Sequence, residues 1–523
     1  MSLRLASLAV VLVCGAAGVR ANEPTAQELL ERGVELGRAG RLDDAQAALL
    51  AGRRNFPTDS RFLLELAGIA YRRNDFGAAK AYLREALALN PSDRYGNDFL
   101  GTLYLLEGNL PATLKYWNRL EKPLLAGVRF APAPQLAPLL LERNFDISAG
   151  QVFTSARLER TEANLDMAGI FADCRYDLAP RADERFDLTI RPTPIASPLH
   201  GWAGYLISAL RGLPYQEVHA DFYNIGRRAI NLESFWRWDA QKRRVALEFS
   251  GPLHFWRYRL LFDARQENWD LTGTYSGAGS LFPSLRKVEA GADLQRNLAA
   301  RLKWTVGTRL AFREYSGAGG EPFFAKGWSS EIFNRFDALV WDWPEHRLRV
   351  DGWGMLRTGR ILTGSPSRLI APETGLRAHW IPQAKGEKYS LVAETRSGAV
   401  FGNVPLDELY ILGMERDNDL WLRGHVGTRD GKKGSAPMGR QYFMTRTELD
   451  RTVWQLPMVR FAVGPFFDTG RIGDPSHQFG SHGWLYDTGL EAKIGTAGGL
   501  QFLAVYGRNL RDGTGVFYTA VRR

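Results

Sequence analysis

The chain has 523 residues, of which 45% are hydrophobic and 24% charged, and its formal net charge is +10. That length calls for more than one domain, and because the basic residues are spread rather than run together, the charge argues against nucleic acid as a partner. Beyond the first residues no run approaches the roughly 18 apolar residues of a spanning helix, so any entry into a membrane is by strands.

Residues 1–21 carry Arg4, an apolar core from Leu5 to Val13 and a small-residue end, Val19-Arg20-Ala21, the pattern of a secretory signal peptide cleaved before Asn22. With Arg4 and Arg20 gone the net charge is +8. Cys14 lies inside the leader, and Val13 before it fits a lipoprotein processing box poorly. Cys174 is then the lone cysteine of an exported protein, with no internal disulfide to make, and is expected to be a buried, inert thiol.

Residues 24–125 repeat at a spacing of 34. Gly40-Arg41-Leu42, Asn74-Asp75-Phe76 and Gly108-Asn109-Leu110 mark inner turns, and Pro57 and Pro91 mark outer ones. Small residues recur at Gly33, Ala67 and Gly101 and again at Ala45, Ala79 and Thr113. This period resembles the tetratricopeptide repeat. Three copies imply a helical array whose concave side serves either as a dock for a periplasmic partner or as a plain spacer.

Residues 126–197 read as strand (GVRFAP, 127–132), helices (SARLERTEANLDMAG, 155–169), then two alternating runs, FADCRYDL and ERFDLTIRP. The stretch from Gly150 to Pro180 resembles a polypeptide-transport-associated (POTRA) domain, which implies one glycine before a helix pair and a second, Gly169, turning the chain into the strand pair.

The remainder, 198–523, is written in period two from about residue 215. Trp256, Tyr258, Leu260 and Phe262 alternate with Arg257, Arg259 and Asp263, and Trp484, Tyr486, Leu490 and Ile494 interleave with Asp487, Glu491 and Lys493. Alternation alone also fits a soluble antiparallel sheet, the alternative reading here. Strands of nine or more residues with aromatics towards their ends and densely charged polar faces, in an exported chain, instead predict a transmembrane antiparallel β-barrel of on the order of 15 or 16 strands, apolar outside and polar within. It must close, since an open edge in lipid leaves backbone groups unpaired.

Two stretches of the barrel stand out. In VGPFFDTGRIGD, 463–474, parity turns Phe466, Asp468 and Gly470 to the lumen, where a lone carboxylate is costly without a partner. In DNDLWLRGHVG, 418–428, Arg423 is the candidate, because its planar fork binds a carboxylate through two hydrogen bonds; Gly424 lets the backbone approach the wall. Leu422-Arg423-Gly424-His425 resembles the (V/I)RG(F/Y) loop motif of the BamA/TamA (bacterial surface antigen) barrel superfamily, and Phe466-Phe467-Asp468-Thr469-Gly470 its F-x-D-x-G strand motif. The resemblance implies a 16-stranded outer-membrane barrel with a seam between first and last strands, periplasmic N-terminal domains, and a tucked loop held by Arg423 to Asp468. It also implies insertion or translocation of unfolded or extended polypeptide clients. Three departures stand against it: His425 replaces an aromatic residue, Met414 follows Gly413 where a second glycine is usual, and the chain ends on Tyr518-Thr519-Ala520-Val521-Arg522-Arg523 rather than on an aromatic.

Enzyme motifs are missing: there is no HExxH, no G-x-S-x-G, and no motif around the cysteine. GTRDGKKGS, 427–435, falls short of a phosphate loop and is expected to be a flexible charged loop tip. No cofactor or metal is called for. Dedicated export of one partner, and a barrel-anchored scaffold recruiting through its repeats, remain alternatives.

Overall fold

The computed structural model describes residues 24–195, 212–277, 280–317, 322–324, 326–362 and 367–522. The expected signal peptide, 1–21, and the start of the expected barrel, 198–211, lie outside the described residues. Two compact units meet between Leu103 and Tyr104.

The first unit is helical. It holds α1 (Ala26–Arg38), α2 (Leu42–Asn55), α3 (Ser60–Arg72), α4 (Phe76–Leu89) and most of α5 (Arg94–Leu106). Thr25 and Glu28 close a capping box on α1, and Asp59 and Asp75 cap α3 and α4. Gly40, Asn74 and Gly108 all have positive φ, so the inner turns need a left-handed residue and take glycine or asparagine. The small positions sit where helices cross: Ala45, Ala67 and Ala79 are fully buried, and a Cβ on Gly33 would lie 2.5 Å from Leu49 Cδ2. Gly101 and, in the second unit, Thr113 are buried as well.

The second unit opens with α6 (Leu110–Trp117), capped by Asn109. Next come β1 (Leu125–Phe130), α7 (Pro138–Asn144), α8 (Ser155–Ala168), β2 (Phe171–Pro180) and β3 (Phe186–Pro194). The three strands form a sheet of order β1-β3-β2, with β1 parallel and β2 antiparallel to β3. Leu125, Phe153, Leu158, Leu165, Leu188 and Ile190 pack beneath it together with Trp117 of α6. Two expectations need correction. Gly150 (φ +81) lies between α7 and α8 rather than before the pair, because α7 forms upstream from Pro138. Cys174 is half-buried rather than buried; partial burial pushes its thiol pKa up to about 11. Gly169 (φ +61) ends α8 in the left-handed cap.

The rest is one antiparallel sheet of 16 strands. They begin with β4 (Glu217–His219), β5 (Phe222–Ile225), β6 (Ile230–Trp238), β7 (Lys242–Leu253), β8 (Trp256–Asn268) and β9 (Ser284–Ala299). They continue with β10 (Leu302–Ser316), β11 (Gly327–Trp343), β12 (Leu348–Leu362), β13 (Ser367–Trp380) and β14 (Tyr389–Ala399). After a loop holding four two-residue strands, β15 (Tyr410–Ile411), β16 (Thr428–Arg429), β17 (Lys432–Lys433) and β18 (Met438–Gly439), come β19 (Gln441–Gln455), β20 (Val459–Gly473), β21 (Leu485–Thr496), β22 (Gln501–Asn509) and β23 (Gly515–Arg522). Each large strand pairs with its chain neighbour, β14 with β19 across the loop, and β4 and β5 lie end to end along β6. Among the described residues no ladder joins β4 to β23, so the ring of backbone bonds expected of a closed barrel is not completed there. The sheet nonetheless rolls until its ends meet, because Tyr215, just before β4, donates its hydroxyl to Thr519 Oγ1 of β23 at 2.5 Å.

Exposure in this sheet is reversed relative to a water-soluble protein. Leu490 is 64% exposed and Ile332 56%, while Arg313, Asp468 and Asp487 are completely buried. Apolar side chains on the outside and ions on the inside suit a sheet whose outer solvent is hydrocarbon and whose interior is polar. No helix among the described residues is long and apolar enough to cross a membrane.

The small domain and α6 are fastened to this sheet. Arg257 donates to the Ala168 carbonyl at 2.6 Å, Asn297 donates to the Ala163 carbonyl at 2.9 Å, and Arg301 pairs with Glu159 at 2.6 Å. On α6, Asn109 donates to the Pro344 carbonyl at 2.7 Å, and Glu345 takes both Lys115 (2.6 Å) and the Tyr116 hydroxyl (2.9 Å).

Candidate functional site

The chain between β14 and β19 folds inside the rolled sheet, and its apolar residues build a core there. Leu406, Leu412, Leu422 and Met438 are fully buried, packed with Ile361, Leu369, Met444 and Ile472 of the wall. Asn418 ties the loop to itself, donating to the carbonyls of Ile411 (2.7 Å) and Gly413 (3.0 Å). Gly413 is required by closeness: a Cβ there would lie 2.4 Å from that of Ala436.

Arg423, at 1% exposure, is among the largest fully buried side chains. Its backbone N–H and Nε both donate to Asp468 Oδ2, at 3.0 and 2.9 Å, and Nη2 donates to Oδ1 at 2.6 Å. Nη1 reaches Glu448 at 2.7 Å and Glu491 at 2.9 Å. The guanidinium carbon lies 3.9 Å from the centre of the Phe466 ring, a cation–π contact worth roughly 2 kcal/mol when desolvated. Lys493 adds a second cation, 2.6 Å from Glu491 and 2.9 Å from Asp450.

The two residues after Arg423 dock on the next strand. Gly424 N–H donates to Asp487 Oδ2 at 2.6 Å, the same oxygen that His425 Nδ1 meets at 3.0 Å, and His425 Nε2 lies 3.3 Å from Asn509 Nδ2. A Cβ on Gly424 would stand 2.6 Å from Asp487 Cγ and 2.7 Å from the Asn509 nitrogen, so no side chain fits. Leu422 packs towards Gly470, whose absent Cβ would lie 3.2 Å from Leu422 Cδ1. Loop residues 422–425 thus converge with Phe466, Asp468 and Gly470, while Gly413 lies within the loop's own packing.

The sequence reading missed three further anchors. Asp407 and Glu408 insert among cations of three strands: Arg313 lies 3.1 Å from Asp407 and 2.9 Å from Glu408, Lys287 lies 3.2 Å from Asp407, and Arg357 lies 3.0 Å from Glu408. Glu415 meets Lys242 at 2.6 Å, and Asp417 meets Arg237 at 2.6 Å and Arg244 at 2.7 Å. Asp419 meets Arg396 at 2.5 Å. The run GTRDGKKGS, read as a flexible charged tip, is instead a hairpin whose Lys433 is buried 3.1 Å from Glu267. Charge signals solvent only where the interior is apolar, and here the interior is polar. Among the described residues no group of three or more His, Cys, Asp or Glu is arranged to hold a metal ion.

A tetratricopeptide repeat family model matches residues 30–116. No curated protein matches the sequence. Among solved structures the chain is similar to BamA from Haemophilus ducreyi lacking POTRA domains 1–3, at 13% identity over 76% of this chain and 84% of that one, with a TM-score of 0.42. It is also similar to CdiB from Escherichia coli (12% identity, 77% and 75% covered, TM-score 0.48) and to CdiB from Acinetobacter baumannii (12%, 84% and 81%, TM-score 0.44). These likenesses are too loose to carry residue roles from those proteins to this chain.

Proposed function

We propose that the protein inserts or translocates polypeptides at the bacterial outer membrane, with its repeats and small domain in the periplasm and residues 198–523 as the membrane barrel. The observation that carries this reading is the combination of an apolar outer surface with two edge strands, β4 and β23, that no backbone ladder joins among the described residues. Among the described residues such edges carry backbone groups that no ladder uses, a template for an incoming strand. The β2 edge of the small sheet offers the same groups to an extended client by strand addition. Transfer of apolar strands out of water supplies the free energy, so neither nucleotide nor metal is required, and no catalytic step is assigned.

Depleting the protein and quantifying the outer-membrane proteome tests this. Broad loss of barrels supports assembly, and loss of one secreted protein supports dedicated export. No change in either favours a scaffold, the reading that the tetratricopeptide match over 30–116 brings forward.

A further inference from the structure

We infer that residues 415–425 form a strap across the inside of the seam between β4 and β23, and that Glu415 and Asp417 are its second anchor, opposite Arg423.

The strap's two ends hold opposite sides of the seam. At one end Glu415 and Asp417 grip Lys242, Arg237 and Arg244, all on β6 and β7, the strands beside the first edge. Arg416 stacks 4.1 Å from the centre of the Tyr215 ring and donates to the Tyr215 carbonyl at 3.2 Å. At the other end Arg423 and Gly424 hold Asp468, Glu491 and Asp487, on β20 and β21, near the last edge. Trp421 meets the Tyr518 ring edge-on at 5.3 Å, and Arg522 lies 3.7 Å from the centre of the Trp421 ring, both partners on β23. A cavity of about 600 Å³ lies behind the seam, lined by Glu217 and His219 on one side, Ala520 and Arg522 on the other, and Arg416 and Trp421 between.

The strap has little slack. Trp421 Nε1 donates to the carbonyls of Glu415 (3.1 Å) and Asn418 (2.7 Å), and Leu420 N–H donates to Asn418 Oδ1 at 3.1 Å. Parting the edges therefore requires one anchor to let go or these internal bonds to break. Among the described residues the wall supplies the Tyr215–Thr519 bond in place of a ladder, and the loop contacts above add to it. The strap does not depend on whether clients use the seam, and its failure leaves the proposed function standing.

Pulsed-EPR distances in the full chain, reconstituted in lipid, test it. Nitroxides replace Val218 and Val521 across the seam, with Val340 and Leu356 as a control pair on β11 and β12, in a Cys14→Ser/Cys174→Ser background. In Glu415→Gln/Asp417→Asn the long-distance population of the seam pair should rise about a hundredfold, the factor equivalent to a loss of roughly 3 kcal/mol. The control pair should not change, and Asp417→Glu should keep the native distribution. Four Gly/Ser residues inserted after Asp419 leave both anchors intact and should widen the seam in the same way. An unchanged seam distribution in this slack variant, or equal broadening of the control pair, overturns the strap whatever the anchor variants do.

Discussion

Asp468 takes three hydrogen bonds from Arg423, one from its backbone N–H and two from its guanidinium, with both side chains almost wholly out of solvent. A carboxylate that binds backbone and side chain of one residue fixes the position of that loop residue as well as its charge. Removing Arg423 leaves Asp468 buried without its hydrogen-bonded cation, which costs about 3–5 kcal/mol, while removing Asp468 leaves the guanidinium with Glu448 and Glu491 and should cost less. Arg423→Ala and Asp468→Ala should each lower the unfolding midpoint accordingly, and the double variant should cost much less than the sum. Denaturant titration in micelles measures this, and strictly additive losses would show that the two do not act as a pair.

Gly424→Ala should be more damaging than its single methyl suggests. The methyl would sit 2.6 Å from Asp487 Cγ and 2.7 Å from a backbone nitrogen of β22, and backbone cannot step aside as a flexible side chain can. Overpacking of this kind costs about 1–3 kcal/mol. His425→Phe, which keeps the size of the ring and loses the Asp487 and Asn509 contacts, should cost about 1 kcal/mol. Thermal unfolding of the two variants should rank them in that order; a Gly424→Ala protein as stable as the parent would mean the loop has room to withdraw.

The loop anchors also predict a pH dependence. Burial by itself raises the pKa of Asp417, but the Arg244 and Arg237 guanidinium groups and the Lys433 ammonium outweigh it and hold the carboxyl well below its usual 3.8. Glu415, raised by burial and lowered more by Lys433 and Lys242, is likewise held below 4.5. A folded-state pKa below the unfolded one contributes stability that is complete above the unfolded range and is lost as pH falls through the folded value. The protection of backbone amides over 404–439, measured against their intrinsic exchange rates at each pH, should therefore be constant from neutral pH to about 5 and fall below about 4. Full release of the loop near neutrality would contradict this account of its anchors.

At the junction between α6 and the sheet, Glu345 is the shared acceptor for Lys115 and Tyr116. Lys115 is 42% exposed, so its share is small, and Glu345→Ala should cost about 1–2 kcal/mol, chiefly through the lost Tyr116 bond. Glu345→Gln, which can still accept from the hydroxyl, should retain most of it. Limited proteolysis near residues 118–124 should quicken in the first variant and hardly at all in the second.

Period-two spacing makes one side of this site legible from sequence: it separates Phe466, Asp468 and Gly470 from Phe467, and Asp487 and Glu491 from Tyr486 and Leu490. Asp468 and Asp487 stand directly opposite each other on neighbouring strands, so the strand half of the site is a matter of parity. The loop half is different. Asp407 and Glu408 close a single 3-10 turn and Glu415 and Asp417 sit in irregular backbone, and the cations of the large strands that they meet lie from 51 to 180 positions away. No local period records such a contact. The two glycines near the helices show a similar limit: Gly169 ends α8, but nothing in the spacing around Gly150 reveals that a helix from Pro138 precedes it.

The last rung below the loop carries one more consequence. Ala399 at the end of β14 pairs directly with Gln441 at the start of β19, and the bond from Val400 N–H to the Arg440 carbonyl continues the ladder. The chain thus leaves the wall and returns to it at a single point, having made an excursion that adds no strand and shifts no register. The cost of closing such a detour grows only slowly with its length. Stretches of the detour outside residues 415–425 can therefore be lengthened or shortened without shifting β14 against β19, whereas the length of 415–425 itself is set by the wall strands it joins.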